Sequence, residues 1–125
     1  MEGKMKTYTI ALATRLKRKV FLAGNIPADV ERLSGEALSE EGIDIKETLF
    51  YDYGYVCCVN APESIKPEAI AYTIRKSTSR PIREMYPELW AMPSLWNSKA
   101  YIEDGELTEA KKKNIEGYYQ TLKSR

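Results

Sequence analysis

Histidine is missing from the whole sequence of 125 residues. Imidazole is the commonest side-chain ligand for metal ions, so the chain cannot carry histidine-metal chemistry. Cysteine is nearly missing as well, because the only two thiols are the neighbours Cys57 and Cys58. Adjacent residues of a strand point to opposite faces, so we expect no bridge between them. Two thiols without histidine do not make a zinc site, and we interpret both as reduced packing residues.

The sequence also lacks an apolar run long enough to cross a bilayer and the apolar segment of a signal peptide. We therefore expect a cytoplasmic protein without a membrane partner. An excess of one charge is missing too, since 19 basic residues oppose 18 acidic ones for a formal net charge of +1. A case for nucleic-acid binding must therefore rest on local basic clusters. The length and the lack of repeats or linkers predict a single domain over residues 1–125.

Alternation of residue types predicts the strands of the first half of the chain. Residues 7–14 have one apolar face and predict a first strand. Pro27 suits the first turn of a helix that ends near Gly42. A hairpin through residues 51–54 is expected to join two further short strands, at residues 43–46 and 55–59.

Proline and threonine delimit the helices of the second half. Pro67 opens a helix that Pro81 is expected to break or kink, and a fourth strand follows at residues 95–102. Thr108 is the expected N-cap of a last helix, which Gly117 is expected to interrupt. The order predicts an α+β fold: a ferredoxin-like βαββαβ sandwich with an antiparallel sheet, two helices on one face, and an extra C-terminal helix.

Four stretches carry a resemblance to a known family. They are residues 8–21 with their basic loop, residues 41–45, the pair 74–80 and 86–90, and residues 95–101. In order and spacing they resemble the single-tyrosine HUH transposases of the insertion sequence two-hundred type, including REP-associated transposase-like proteins. The resemblance covers nearly the whole chain and implies the same ferredoxin-like fold.

The resemblance also implies a site that this sequence does not complete. In the family, a histidine-hydrophobic-histidine pair binds a divalent metal, and a tyrosine on the C-terminal helix becomes covalently linked to single-stranded DNA. Aligned without gaps, the two histidine positions are Gly54 and Val56 here; a shift by one residue gives Tyr53 and Tyr55. None of these supplies an imidazole. We therefore expect a degenerate member with no metal site and no cofactor.

The nucleophilic tyrosine of the family is displaced as well. Counting from Gly105 puts its position at Ile115, and matching the isoleucine and glutamate that follow it puts it at Asn114. A family glutamine lies one turn beyond the tyrosine. One turn is roughly 5–6 Å along the helix axis, too far for a nucleophile that must meet its phosphate at about 3–3.5 Å. The weak catalytic candidates that remain, about one turn later, are Tyr118, Tyr119 and Gln120.

Two other groups of side chains have both a functional and a plain interpretation. Asp44, Glu47 and Asp52 could replace the metal ligands, but scattered carboxylates on strands are usually surface residues. Trp90 and Trp96 could stack on bases, but tryptophan in a small core is more common, and we favour the core for Trp96.

Two basic clusters lie where the family contacts DNA. Charges in a loop are often only solvated, yet the resemblance favours phosphate contacts. We expect weak, mainly electrostatic binding of single-stranded DNA or an RNA hairpin. The candidate nucleic-acid-binding residues are Arg15, Lys17, Arg18, Lys19, Arg75, Lys76 and Arg80.

These features favour a transposase-family protein of the DNA transposition type that is catalytically inactive and retains dimerisation and the binding of single-stranded or hairpin nucleic acid. Two alternatives stay open: an active single-strand DNA transposase with a rearranged tyrosine and metal site, and a dimeric scaffold that binds no nucleic acid. The family builds its sites between two subunits, so we expect a homodimer. Aromatic residues suit interfaces, and the expected interface tyrosines are Tyr53, Tyr55, Tyr118 and Tyr119.

Overall fold

A computed structural model describes residues 3–124 of the chain. Four strands and three helices follow the predicted order. The strands are β1 (Met5–Thr14), β2 (Asp44–Tyr51), β3 (Gly54–Pro62) and β4 (Trp96–Asp104). The helices are α1 (Ile26–Ser39), α2 (Pro67–Met85) and α3 (Glu109–Thr121). Short 3-10 turns occupy Arg15–Lys17, Val20–Leu22 and Pro87–Leu89.

The four strands form one antiparallel sheet in the order β2-β3-β1-β4. This is the predicted ferredoxin-like arrangement, with β1 in the interior and β4 at an edge. The hairpin expected around residues 51–54 joins β2 to β3. Alternation along β1 gives the sheet two different faces, because its large side chains point one way and its small ones the other.

The larger core lies between the sheet and the helices α1 and α2. On β1, Tyr8, Ile10 and Leu12 belong to it. Trp96 is 4% exposed, and its Nε1 donates a hydrogen bond to Thr78 Oγ1 at 2.7 Å. An indole N–H needs such a partner when it is buried. The preference for a core position at Trp96 is therefore confirmed.

The second face of the sheet is covered by α3. Ile115 and Tyr119 of this helix pack on Ala11, Ala13 and Val56. The small side chains of β1 let a single helix approach the sheet closely. Thr108 caps α3 as expected, because its hydroxyl accepts a hydrogen bond from the Lys111 N–H at 3.2 Å.

The expected break at Pro81 and the expected interruption at Gly117 do not occur. The helix α2 continues through Pro81 to Met85. Ile82 is buried beyond the proline, and side-chain hydrogen bonds of Arg83 stabilise the last turn. The Arg83 guanidinium donates to the carbonyls of Ser79 at 3.1 Å and Met92 at 3.0 Å. The helix α3 likewise continues through Gly117, because burial of Tyr119 outweighs the low helix propensity of glycine.

The assignment of four tyrosines to an interface is corrected in part. Tyr55 and Tyr119 are 0% and 1% exposed inside their own chain, so neither can contact a second subunit. Cys57 and Cys58 are both buried and unbridged. No helix within residues 3–124 combines the length and the apolarity needed to cross a membrane.

Candidate functional site

In the alignment without gaps, the first family histidine corresponds to Gly54, and a ring from another element packs on this residue. Gly54 lies at the start of β3, and Tyr119 of α3 packs directly on it. A Cβ atom built on Gly54 would lie 2.6 Å from the Tyr119 ring and hydroxyl, closer than side-chain atoms approach each other. Only glycine therefore lets the Tyr119 ring rest on the β3 backbone.

The Tyr119 hydroxyl is engaged within the chain. It donates a hydrogen bond to the Leu12 carbonyl at 2.8 Å, beside the point where the β1–β4 register shifts. The rings of Tyr51 and Tyr53 meet it edge-on, each with a centroid separation of 5.5 Å. Burial raises the pKa of Tyr119 far above its ordinary value. A neutral, buried phenol of this kind is a poor nucleophile.

The other two weak catalytic candidates point elsewhere. Tyr118 stacks on Tyr101 of β4 at 5.2 Å, and its hydroxyl lies 3.5 Å from the Lys99 carbonyl. Burial is the main cause that raises the pKa of Tyr118 above its ordinary value, partly offset by the charge of Arg75. Gln120 is exposed at the end of α3. The rings of Tyr118 and Tyr119 adjoin, with centroids 5.8 Å apart, but their hydroxyls donate to different carbonyls, those of Lys99 and Leu12.

The side chains at this place do not fit a divalent metal. The gap-free alignment supplies Gly54 and Val56, and α3 adds Ile115 and Tyr119. The only side-chain atom among them that could coordinate a metal is the phenol oxygen of Tyr119, which is already hydrogen-bonded to a carbonyl. Magnesium-type ions instead take several carboxylate or carbonyl oxygens.

The shifted alignment and the scattered carboxylates do not supply metal ligands either. Tyr55 points into the α1/α2 core, where its hydroxyl shares a 2.9 Å hydrogen bond with Ser34. Asp44, Glu47 and Asp52 are all exposed. Within the described part of the chain, no group of three or more cysteine, aspartate or glutamate side chains is close enough to hold a metal ion.

The basic residues of the loop after β1 make two different kinds of contact. Lys17 donates a hydrogen bond from Nζ to the Tyr119 carbonyl at 2.9 Å, and its ammonium lies 5.4 Å from the Tyr53 ring centroid. It thus stabilises the C-terminal end of α3, where a cation is favoured. Arg18 and Lys19 instead line a separate groove of about 390 Å³. Sequence spacing gave no sign of the Lys17 contact, which spans 102 positions.

The basic residues of α2 also divide. Arg75 and Lys76 line a groove of about 370 Å³ between α2 and the start of β4. Arg80 lies outside that groove and pairs with Glu84 at 3.0 Å. The Arg15 N–H donates to the Leu95 carbonyl at 3.0 Å, which brings the first loop next to the start of β4. The seven predicted cations therefore do not line one common groove.

The groove between α2 and β4 contains residues that the sequence patterns did not indicate as binding residues. Tyr72, Asn97 and Ser98 line it together with Arg75 and Lys76. Tyr72 could have been found from the sequence, because its separation from Arg75 and Lys76 is that of one helix face. Asn97 and Ser98 could not, because only the sheet brings β4 next to α2.

Comparison with known proteins gives matches at the level of structure. No family model matches the sequence, and no curated protein matches it. A candidate transposase from Deinococcus radiodurans R1 has a TM-score of 0.85 at 12% sequence identity, over 99% of this chain and 95% of that one. The chain has the fold of transposases. The fold implied by the sequence resemblance is thereby confirmed.

A second solved structure has the same fold and a bound nucleic acid. It is a REP-associated tyrosine transposase bound to a REP hairpin, with a TM-score of 0.60 at 11% sequence identity. The match covers 88% of this chain and 62% of that protein. The chain therefore spans about three fifths of the length of this second neighbour.

Proposed function

We propose that this protein binds single-stranded or hairpin nucleic acid and does not perform metal-dependent tyrosine strand transfer. One observation carries the proposal: the Tyr119 ring lies on Gly54, where the fold's transposases are expected to hold a metal. A buried aromatic ring, hydrogen-bonded to the Leu12 carbonyl, fills the space beside this position. A change of two ligands alone would leave that space open.

Support for nucleic-acid binding comes from the surface of α2. Neither Arg75 nor Lys76 has a carboxylate partner within residues 3–124, so both charges are available to an anion. Tyr72 beside them is 56% exposed. One neighbour of the same fold is bound to a nucleic-acid hairpin. Unpaired cations next to an exposed aromatic ring are a common way of binding single-stranded nucleic acid.

Fluorescence anisotropy with labelled DNA and RNA hairpins across a salt series tests the proposal. Each phosphate contact contributes about 0.7–0.9 to the slope of log K against log salt. The double variant Arg75→Ala/Lys76→Ala should bind all sequences more weakly and with a slope smaller by roughly 1.5. Arg80→Ala is the matched control, because it removes one positive charge of α2 that lies outside this groove and is paired with Glu84.

The same assay examines the first loop. Arg18→Ala/Lys19→Ala should flatten the slope if this loop contacts phosphates, and it avoids Lys17, whose loss would disturb α3. An unchanged salt slope in both double variants would show that the nucleic-acid-binding site lies elsewhere on the protein. A wild-type protein that binds nothing at low salt would favour the scaffold without nucleic acid.

We also propose a homodimer. The surface tyrosines Tyr53 and Tyr118 remain available for contacts, since both are only partly buried. Light scattering at micromolar concentration should give about twice the chain mass of 14.3 kDa. A value near one chain mass under these conditions would contradict the dimer and leave the binding proposal intact.

A further inference from the structure

One face of α2 borders a groove whose lining combines cations, an aromatic ring and polar side chains. Tyr72, Arg75, Lys76 and Ser79 follow one another at helical spacing, which puts them in a single stripe. The start of β4 forms the opposite wall, and the volume between them is about 370 Å³. This volume falls within the range of about 300–1,000 Å³ that is typical of sites for small ligands.

An exposed aromatic ring lies at one side of this groove. Tyr72 leaves 56% of its surface exposed, and the Lys76 ammonium lies 5.9 Å from its ring centroid. A tyrosine in a groove offers a flat apolar face that every nucleobase can stack on. The Lys76 ammonium lies over one face of the Tyr72 ring, where it can bind the phosphate of a base that stacks on the other face.

The polar groups of the groove fall into two sets. Ser79 Oγ accepts a hydrogen bond from the Leu95 N–H, and Ser94 Oγ donates one to the Trp96 carbonyl, each at 3.1 Å. These two hydroxyls are therefore used by the fold. Asn97 and Ser98 of β4 form the second set.

Asn97 and Ser98 keep hydrogen-bonding capacity. The Asn97 Oδ1 accepts from the Lys99 N–H at 3.1 Å, which leaves its amide NH₂ to donate. The Ser98 hydroxyl makes no hydrogen bond to any group in residues 3–124. Donors and acceptors of this kind suit the edge of a base.

Arg75 lies where this groove meets a second one. The second groove, of about 270 Å³, runs along the edge strand β4 past Ser98, Lys99 and Ile102. Arg75 and Ser98 line both grooves. The lining of the second groove therefore includes two cations, Arg75 and Lys99, and one carboxylate, Glu68.

We propose that the groove between α2 and β4 holds one unpaired nucleobase. The base stacks on Tyr72, its edge meets Asn97 and Ser98, and its phosphate lies between Arg75 and Lys76. This inference rests on the proposed function, because it names the part of the nucleic acid that the site recognises. An acidic peptide added along β4 would use the two cations but not the aromatic ring.

The test compares three labelled hairpins of identical stem. One is blunt, one carries a single-stranded extension, and one carries the same extension without its bases. Wild-type protein should prefer the extension with bases. Tyr72→Ala should lose this preference, by roughly 5- to 150-fold from the strength of base–aromatic stacking, with an unchanged salt slope. Tyr72→Phe should keep it.

A matched control uses the other exposed aromatic residue near cations. Trp90 is 66% exposed beside Arg80 and Arg83, and Trp90→Ala should leave the preference unchanged. Loss of the preference in Trp90→Ala, with Tyr72→Ala unaffected, would overturn the inference. Polyglutamate that displaces the hairpin as well as an unlabelled hairpin does would overturn it in favour of an acidic peptide.

The outcomes separate this inference from the proposed function. If Arg75→Ala/Lys76→Ala flattens the salt slope while Tyr72→Ala changes nothing, the protein binds nucleic acid but the groove holds no base. If wild-type protein binds none of the three hairpins at low salt, both fail. Thermal unfolding of each variant verifies its fold, which substitution of the exposed Tyr72 should preserve.

Discussion

At residue 54 a single hydrogen atom in place of a side chain decides how the second face of the sheet is packed. We predict that Gly54→Ala destabilises the fold by about 2–4 kcal/mol, because the added methyl group forces the buried Tyr119 ring from its place and weakens its hydrogen bond to Leu12. Urea unfolding of the two proteins measures the difference.

Gly117→Ala provides the control for this substitution. Gly117 faces solvent on α3, and a Cβ there would meet no atom within 4 Å. Alanine has the higher helix propensity, so this variant should gain about 0.5–1 kcal/mol. A Gly54→Ala variant as stable as Gly117→Ala would show that Tyr119 does not pack as described.

Three tyrosines around the sheet make stability sensitive to alkali. Burial, aided by the Glu116 carboxylate, raises the pKa of Tyr51 to about 12. Burial also raises the pKa values of Tyr55 and Tyr119 above their ordinary value. In the unfolded chain each tyrosine loses its proton near pH 10, while the folded chain keeps it.

The sign of the effect follows from these pKa values. The stabilisation is complete below pH about 10 and is lost as the pH rises towards 12, by roughly 1.4 kcal/mol per pH unit for each of the buried tyrosines Tyr55 and Tyr119. The loss is smaller for Tyr51, because solvent screens its partly exposed hydroxyl. Urea unfolding at several pH values, with tyrosinate absorbance, measures it. Tyr51→Phe should make the decline shallower. Constant stability from pH 9 to 12 would contradict this prediction.

At the scale of elements, α3 is attached to the sheet at both ends and in the middle. Lys111 Nζ donates to the carbonyls of Asp104 and Glu106 near the beginning, and Asn114 donates to Glu103. Tyr51 donates to Glu116, and Lys17 binds the carbonyl at the end. This last contact holds the loop after β1, whose Leu16 and Lys17 adopt left-handed φ angles of 54° and 55°.

We predict that Lys17→Ala loosens the end of α3. The variant loses a charged hydrogen bond and a cation at a helix C-terminus, which together cost about 1–2 kcal/mol. Amide hydrogen exchange should become faster in the last turn of α3, and urea unfolding should shift accordingly. Lys19→Ala, on an exposed neighbour, should stay within about 0.5 kcal/mol of wild type. Equal effects of the two substitutions would contradict the role of Lys17.

At the scale of the whole molecule, local patterns predicted the element order, the hairpin and the cap at Thr108. They failed at Pro81 and Gly117, because the buried Ile82 and Tyr119 beyond them supply packing energy that no local propensity contains. They also missed the ring of Tyr119 on Gly54. A contact between residues 65 positions apart has no local signature, although the missing histidines drew attention to Gly54.

The last prediction concerns chemistry. Attack by tyrosine on a phosphodiester needs an activated hydroxyl and a polarised phosphate. The Tyr119 hydroxyl is bonded to Leu12, burial raises the pKa values of both Tyr118 and Tyr119, and the side chains at Gly54 and Val56 offer no metal donor. We expect that single-stranded hairpin DNA with magnesium or manganese gives no covalent adduct in denaturing gels or by mass spectrometry.

Anisotropy of the same samples should show that the DNA is bound, so that a missing product reflects chemistry rather than affinity. Tyr118→Phe and Tyr119→Phe should behave like wild type in this assay. An adduct on either tyrosine, absent from its phenylalanine variant, would establish the active alternative.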